Sequence, residues 1–240
     1  DHGALPHADG LPDGAVSVSP SAPTTTDDLY ASAEGADLDS DTVVFEISWS
    51  VSGVARPEYT GLWTVPAAAT QSGDIWTATF TPTDGESSGL AATASVTIDN
   101  AKPTVDRVVL YPFDPLAGDN LAATAYDVFD ADGEAVNLTF DWYRDGSLVQ
   151  TETLGEPAAY FVDGIAKAEL WQVVVTPDDG ITQGEPVASD VVLVGNSAPS
   201  IAGASLSPDP GYEASTLQCE PVDEADADGD ALEFDAEWEV

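Results

Sequence analysis

The 240-residue sequence has no methionine, one cysteine, two histidines and only five basic side chains, against 44 acidic ones, for a formal charge of -39. Arg56, Lys102, Arg107, Arg144 and Lys167 are scattered along the chain. They cannot build the basic face that nucleic acid or an anionic membrane surface demands, so no nucleic-acid partner is expected. Cys219 has no second cysteine with which to form a disulfide framework or a zinc cluster. His2 and His7 both lie in a Gly- and Pro-rich opening stretch, so no Ser-His-Asp triad or histidine metal site is expected around a folded core. Catalysis is therefore not expected, and the chain is read as a non-enzyme. No apolar run approaches the roughly 18 to 20 residues that span a bilayer, which argues against direct membrane insertion. The missing methionine, with Asp1 in first place, predicts a fragment or processed form of something longer; a leader peptide is neither indicated nor excluded.

What is present argues for folded cores. Hydrophobic residues make up 43% of the chain and six are tryptophans, which separates it from acidic disordered sequences. An internal repeat recurs with a spacing of about 92 to 96 residues. Each copy opens on a proline turn (Pro20 and Pro23, Pro112 and Pro115, Pro208 and Pro210) followed by a short strand beginning at Leu29, Leu121 or Leu217. After an acidic loop, apolar residues alternate up to a tryptophan: Val43, Phe45, Ile47, Trp49; Val136, Leu138, Phe140, Trp142; Leu232, Phe234, Ala236, Trp238. Period two predicts a strand with one buried face carrying the tryptophan.

The first two copies continue in parallel. Trp76, Ala78, Phe80 and Pro82 match Trp171, Val173, Val175 and Pro177, each run leading to an Asp-Gly turn at Asp84-Gly85 or Asp179-Gly180. Val96 and Ile98 match Val192 and Val194 on a last strand, before proline-containing linkers at 99–103 and 195–199. About seven short strands per copy, with no 3.6-residue stripe, predict an all-β fold of tandem immunoglobulin-like antiparallel β-sandwiches. The expected division is a linker or tail at 1–14, a first repeat at 15–103, a second at 104–199, and the truncated N-terminal part of a third at 200–240. That third part is expected to be frayed, or held by its neighbour or another chain.

The acidic loops are the candidate site. Aligned on the tryptophans they read Glu34, Asp37, Asp39, Asp41; Asp127, Asp130, Asp132, Glu134; and Asp223, Asp226, Asp228, Asp230. Twelve of the 44 acids thus recur in register, as random surface acidity would not. Carboxylates two residues apart on an extended segment lie about 7 Å apart and repel by roughly 0.6 kcal/mol in water, or about 2 kcal/mol at an effective dielectric near 20. Folding that draws them together calls for a counter-charge, and Ca2+ suits irregular oxygen-rich loops better than Mg2+ with its near-octahedral shell. The spacing is not that of an EF-hand. Thr42, Ala135 or Ala231 stands where its turn glycine belongs, and a strand follows instead of a helix.

Together the Leu-x-Cys strand at 217–219, the Asp-x-Asp-Gly-Asp loop at 226–230, the tryptophan strand, the Thr-Pro-x-Asp-Gly turn and the Asn-x-x-Pro linker resemble immunoglobulin-like repeats of large bacterial secreted and surface proteins, similar in style to PKD-type and cadherin-like modules. The resemblance covers about 20–240. It implies an extracellular or cell-surface location, neighbouring repeats of the same parent chain as partners, and a non-catalytic spacer or adhesive role. It also implies that each acidic loop faces the preceding repeat beside the turn carrying Asp178 and Asp179, with Asp99 and Asn100 near the second loop and Asn196 near the third. Calcium would then stiffen the junctions. In such repeats a cysteine at the Cys219 position often pairs with one at the position of Ala78 and Val173; Ala31 and Ala123 depart from that pattern, so the first two cores must close by packing alone.

Two other readings stand beside this one. Trp63, in an insertion with Tyr59 and Arg56, is either packed or an exposed aromatic for a surface glycan or protein, as in an accessory module of a secreted enzyme. Alternatively the acidity serves solubility in a halophilic setting, without specific calcium sites. Of the remaining motifs, Arg144-Asp145-Gly146 reads as a hairpin turn. Asn137-Leu138-Thr139 is a glycosylation sequon inside an expected strand. Cys219 is expected to face inward as a buried thiol or half of an absent disulfide.

Overall fold

The computed structural model describes residues 16–35, 42–83, 88–161 and 164–239. The 1–14 segment, Asp37, Asp39, Asp41 and the Asp84-Gly85 turn lie outside them. The described residues form seventeen strands. The first seven are β1 (Val16–Ser19), β2 (Leu29–Ala33), β3 (Val44–Val51), β4 (Val54–Ala55), β5 (Thr64–Val65), β6 (Ile75–Thr83) and β7 (Ala92–Thr97). They form a three-stranded sheet in the order β1-β2-β5 and a four-stranded sheet in the order β4-β3-β6-β7. Every pairing in them is antiparallel.

Alternation explains the core between these sheets. Along β6, Trp76, Ala78 and Phe80 turn inward while Thr77 and Thr79 do not, and β3 contributes Ile47, Trp49 and Val51. Trp49 pairs across the ladder with Ala78. Its ring meets Trp76 edge-on at 6.1 Å, and the small Ala78 and Ala31 leave room for both indoles. Each buried aromatic removes some 150 to 250 Å² from water, so the two tryptophans and Phe80 dominate this core without a disulfide.

The next eight strands repeat the arrangement: β8 (Arg107–Tyr111), β9 (Leu121–Tyr126), β10 (Asn137–Arg144), β11 (Ser147–Leu154), β12 (Ala158–Phe161), β13 (Leu170–Asp178), β14 (Val187–Ala188) and β15 (Val192–Leu193). One sheet runs β8-β9-β12. The other runs β11-β10-β13, with β14 and β15 both paired to β13. Trp142 stands opposite Val173, and both are fully buried with Trp171, Phe140 and Ala123. Asp145 and Gly146, at φ 51° and 76°, make the tight turn between β10 and β11, which agrees with the hairpin expected there.

Two compact units emerge from the packing. The first comprises 1–103 together with 129–135 and 179–182; the second comprises 104–128, 136–178 and 183–240. The loop at 129–135 and the turn at 179–182 therefore belong to the first unit.

Within the second unit, β16 (Gly203–Ser207) and β17 (Gln218–Val222) form a two-stranded antiparallel ribbon. Reciprocal backbone bonds between Ser200 and Ala225, 2.8 and 2.9 Å, extend its antiparallel pairing. The strand expected up to Trp238 does not form, and Trp238 is 55% exposed. Pairing explains this departure: in the first two copies that strand is held by β6 or β13, and the 240 residues hold no third counterpart of these. Cys219, expected inward, is exposed, and among the described residues no second sheet covers its ribbon. Among the described residues no helix is long and apolar enough to cross a membrane.

Candidate metal centre

The loop joining β9 to β10 is organised by one carboxylate. Asp130 Oδ1 accepts hydrogen bonds from the backbone N–H groups of Asp132 (2.9 Å), Gly133 (2.9 Å) and Glu134 (3.3 Å). An Asp side chain closing on its own following amides is a local preference of the residue type. Gly133 sits at φ +86°, a left-handed conformation that side chains resist, which is why glycine stands between the two acids. The wrap brings single oxygens of Asp130, Asp132 and Glu134 within 4.8 Å of one another. Two ligand oxygens on opposite sides of a calcium ion are separated by about 4.6 to 5.2 Å, so the three donors fit around one such ion.

A second bond ties the loop to the linker. Ala101 N–H donates to Asp132 Oδ2 at 2.7 Å. Beside it, Asn100 Nδ2 donates to the Ala101 carbonyl (2.7 Å), to Asp179 Oδ2 (2.7 Å) and to Thr182 Oγ1 (3.1 Å). Asp179 closes the turn at 179–182 by accepting from Ile181 N (2.7 Å) and Thr182 N (2.6 Å) with its other oxygen. Loop, linker and turn are thus one hydrogen-bonded assembly in the first unit.

Several oxygens in this assembly are buried without a hydrogen-bond partner: Asp130 Oδ2, Glu134 Oε2 and Asn100 Oδ1. An acceptor left without a partner in this way is unfavourable, and a carboxylate oxygen more so than a neutral one. Burial chiefly, joined by the facing Asp130 carboxylate and by the charges of Asp130 and Asp132, pushes the Glu134 carboxyl above its ordinary value against the pull of its own amide. For Asp179, burial alone would push upward. The bonds from Thr182 N, Ile181 N, Asn100 and Thr182 Oγ1 outweigh it and hold the carboxyl below its ordinary value. A cavity of about 410 Å³ opens onto Asp132 and Glu134, lined also by Thr25, Thr70, Gln71 and Ser72.

The loop at 223–230 repeats this geometry within the second unit. Asp226 Oδ1 accepts from Asp228 N (2.9 Å) and Asp230 N (3.1 Å), and Ser197 N donates to Asp228 Oδ2 at 2.6 Å. Oxygens of Asp226, Asp228 and Asp230 again lie within 4.8 Å of one another. Asp228 Oδ1 is buried without a partner, and Asn196 donates to the Ser197 carbonyl at 2.7 Å. One difference stands out. Lys167 Nζ donates to Asp230 Oδ2 at 2.7 Å. That bond, opposed by desolvation and aided by the charges of Asp230, Asp228 and Asp226, raises the Lys167 ammonium above its ordinary value.

Other candidate residues stand apart from both clusters. Asp127 and Asp223 share a left-handed φ of 53° and are exposed; Asp127 faces Arg107 at 3.5 Å. Asp178 accepts from the Gln183 side chain at 3.0 Å. Asp99 is exposed, with its backbone N–H on the Pro23 carbonyl at 2.7 Å, and Glu34 is exposed at the end of β2. Sequence reasoning missed the backbone donors Ala101 and Ser197, the hydroxyl of Thr182 and the lysine at 167. No residue-type pattern marks the first two, since any residue but proline offers an N–H.

No protein-family model matches the sequence, and no curated protein is similar enough to count as a relative. Among solved structures, the chain is similar to domains d3-d4 of the rat CD45 extracellular region, at 13% identity and a TM-score of 0.34, covering 43% of this chain and 56% of that one. A two-domain fibronectin type-III segment of chicken tenascin matches at 9% identity and a TM-score of 0.42, covering 75% of this chain and 97% of that one. The chicken interferon gamma receptor alpha chain matches at 10% identity and a TM-score of 0.46, covering 80% of this chain and all of that one.

Proposed function

We propose that this chain is a non-catalytic structural or adhesive repeat region of an extracellular or cell-surface protein, stiffened by Ca2+ held on its acidic loops. The observation that carries the reading is the set of buried, unpartnered oxygens of Asp130 and Glu134 in a cluster whose donors match the reach of one calcium ion. Asp130, Asp132 and Glu134 would be the protein ligands, and the bound ion would supply positive charge to a loop whose acids otherwise repel. Its effect is mechanical. The Ala101–Asp132 bond and the Asn100–Asp179 bond join the linker to the loop and the turn, so an ion that fixes the loop also fixes the linker. Neighbouring repeats of a parent chain are the natural partners of such a spacer. Trp63 supports a surface glycan or protein as a further partner: the residue is 40% exposed, with its ring centroid 5.9 Å from that of Phe80.

The test is thermal unfolding of chelator-treated protein at low ionic strength with calcium added back. A ligand present at 100 times its Kd stabilises the folded state by about 2.7 kcal/mol, a shift of several degrees. Millimolar calcium is expected to raise Tm by that much, with no equal rise from the same ionic strength of sodium chloride. Equal responses to the two salts would favour the solubility reading of the acidity and sink the calcium one.

A further inference from the structure

The two acidic loops differ in what faces them. The turn from Gln71 to Asp74 and the turn from Ala166 to Glu169 are the same structure. In the first, Gln71 N donates to Asp74 Oδ2 (3.1 Å) and Asp74 N to the Gln71 carbonyl (3.1 Å). In the second, Ala166 N donates to Glu169 Oε2 (2.9 Å) and Glu169 N to the Ala166 carbonyl (3.2 Å). Gly73 and Ala168 both take positive φ, 83° and 69°, and their N–H groups bond the equivalent carbonyls of Ile98 and Val194. Ser72 and Lys167 therefore hold one position. Ser72 lines the cavity that opens onto Asp132 and Glu134, whereas Lys167 reaches Asp230.

We propose that Lys167 is a tethered counter-cation that serves the loop at 226–230 in place of a metal ion, so that divalent cations bind the loop at 130–134 in preference. The inference rests on the calcium reading for its second half, while the first half concerns the metal-free protein. A primary ammonium 2.7 Å from one carboxylate removes part of the repulsion that a metal would otherwise relieve. It also has to be displaced, or tolerated as a neighbouring positive charge, by any ion that enters. At the matching position Ser72 contributes no charge, so the corresponding turn leaves Asp132 and Glu134 facing an open cavity. One residue thus separates a site built to take a cation from one that carries its own.

The experiment uses the full 240-residue chain, wild type and Lys167→Ser, with Lys167→Arg as the charge-preserving control. Calcium is titrated while the amide resonances of Gly133 and Gly229 are followed by NMR. In the wild type, Gly133 is expected to respond at least about tenfold below the calcium concentration that moves Gly229. In Lys167→Ser, Gly229 should become responsive at a concentration at least about tenfold lower than before, and in Lys167→Arg it should not. A wild-type Gly229 as sensitive as Gly133, or a Gly229 unmoved by Lys167→Ser while Gly133 responds, overturns the proposal. A silent Gly133 overturns the calcium reading instead. A second measurement then decides the metal-free half: without divalent ions, Lys167→Ser should speed amide exchange at Asp228 and Asp230 several-fold, and unchanged exchange there overturns it.

Discussion

Glu169 Oε2 accepts two hydrogen bonds at once, from the indole Nε1 of Trp171 at 2.9 Å and from the backbone of Ala166 at 2.9 Å. The equivalent pair in the first repeat is Asp74 and Trp76. There the shorter carboxylate closes the turn onto Gln71, and Trp76 Nε1 is buried with no partner. One methylene separates a satisfied indole from an orphaned one.

Asp74→Glu should therefore stabilise the protein. Supplying an acceptor to a buried donor gains about 1 kcal/mol, and the reverse change, Glu169→Asp, should cost a similar amount. Urea unfolding of the two variants should show midpoints displaced in opposite directions with unchanged slopes.

Glu134→Gln separates the charge of the acidic loop from its shape. Without calcium, removing one of three converging carboxylates should leave Tm unchanged or higher, because the Glu134 carboxyl is pushed above its ordinary value by burial and by Asp130 and Asp132. With calcium, the variant should lose most of the metal-induced rise. Asp130→Ala should behave differently, costing about 1 to 3 kcal/mol even without metal, since it strips the acceptor from three backbone amides.

Acid titration should show two opposed contributions in the metal-free protein. Asp179 is held below its ordinary value of 3.8, so its stabilisation is complete above that pH and is lost as pH falls through the depressed folded value. Glu134 is raised above its ordinary 4.5, so its contribution is complete below that pH and is lost as pH rises through the elevated folded value. Stability measured by urea at a series of pH values should fall less on the acid side in Asp179→Asn. In Glu134→Gln it should decline less than in the wild type as pH rises above the ordinary 4.5.

Asn100→Ala tests how firmly the linker holds the turn at 179–182. The variant loses the bonds to Asp179, Thr182 and the Ala101 carbonyl and should cost about 1 to 2 kcal/mol. Amide exchange should rise at Ile181 and Thr182, in the turn that Asn100 holds.

Much of this molecule was legible from residue order alone. Strict alternation from Leu138 to Trp142 and from Trp171 to Pro177 calls for two buried faces, and both strands form with those residues inward. The Asp-x-Asp-Gly spacing already contained a loop closed by its first aspartate, because that closure spans only four residues. Register with the tryptophans, however, grouped Asp127 and Asp223 with their neighbours, and backbone conformation separates them: left-handed φ at both leaves them exposed and outside the clusters.

What the sequence by itself determined is local: strand periodicity, turn chemistry and the acidity of the loops, each set by side chains a few residues apart. The tertiary structure alone decided which carboxylates converge and what faces them. Asn100 meets Asp179, Ala101 meets Asp132 and Lys167 meets Asp230 across 79, 31 and 63 positions. It likewise decided that Trp238 stays exposed while Trp49 and Trp142 are buried, since the same alternating pattern becomes a strand only where another segment supplies its hydrogen bonds.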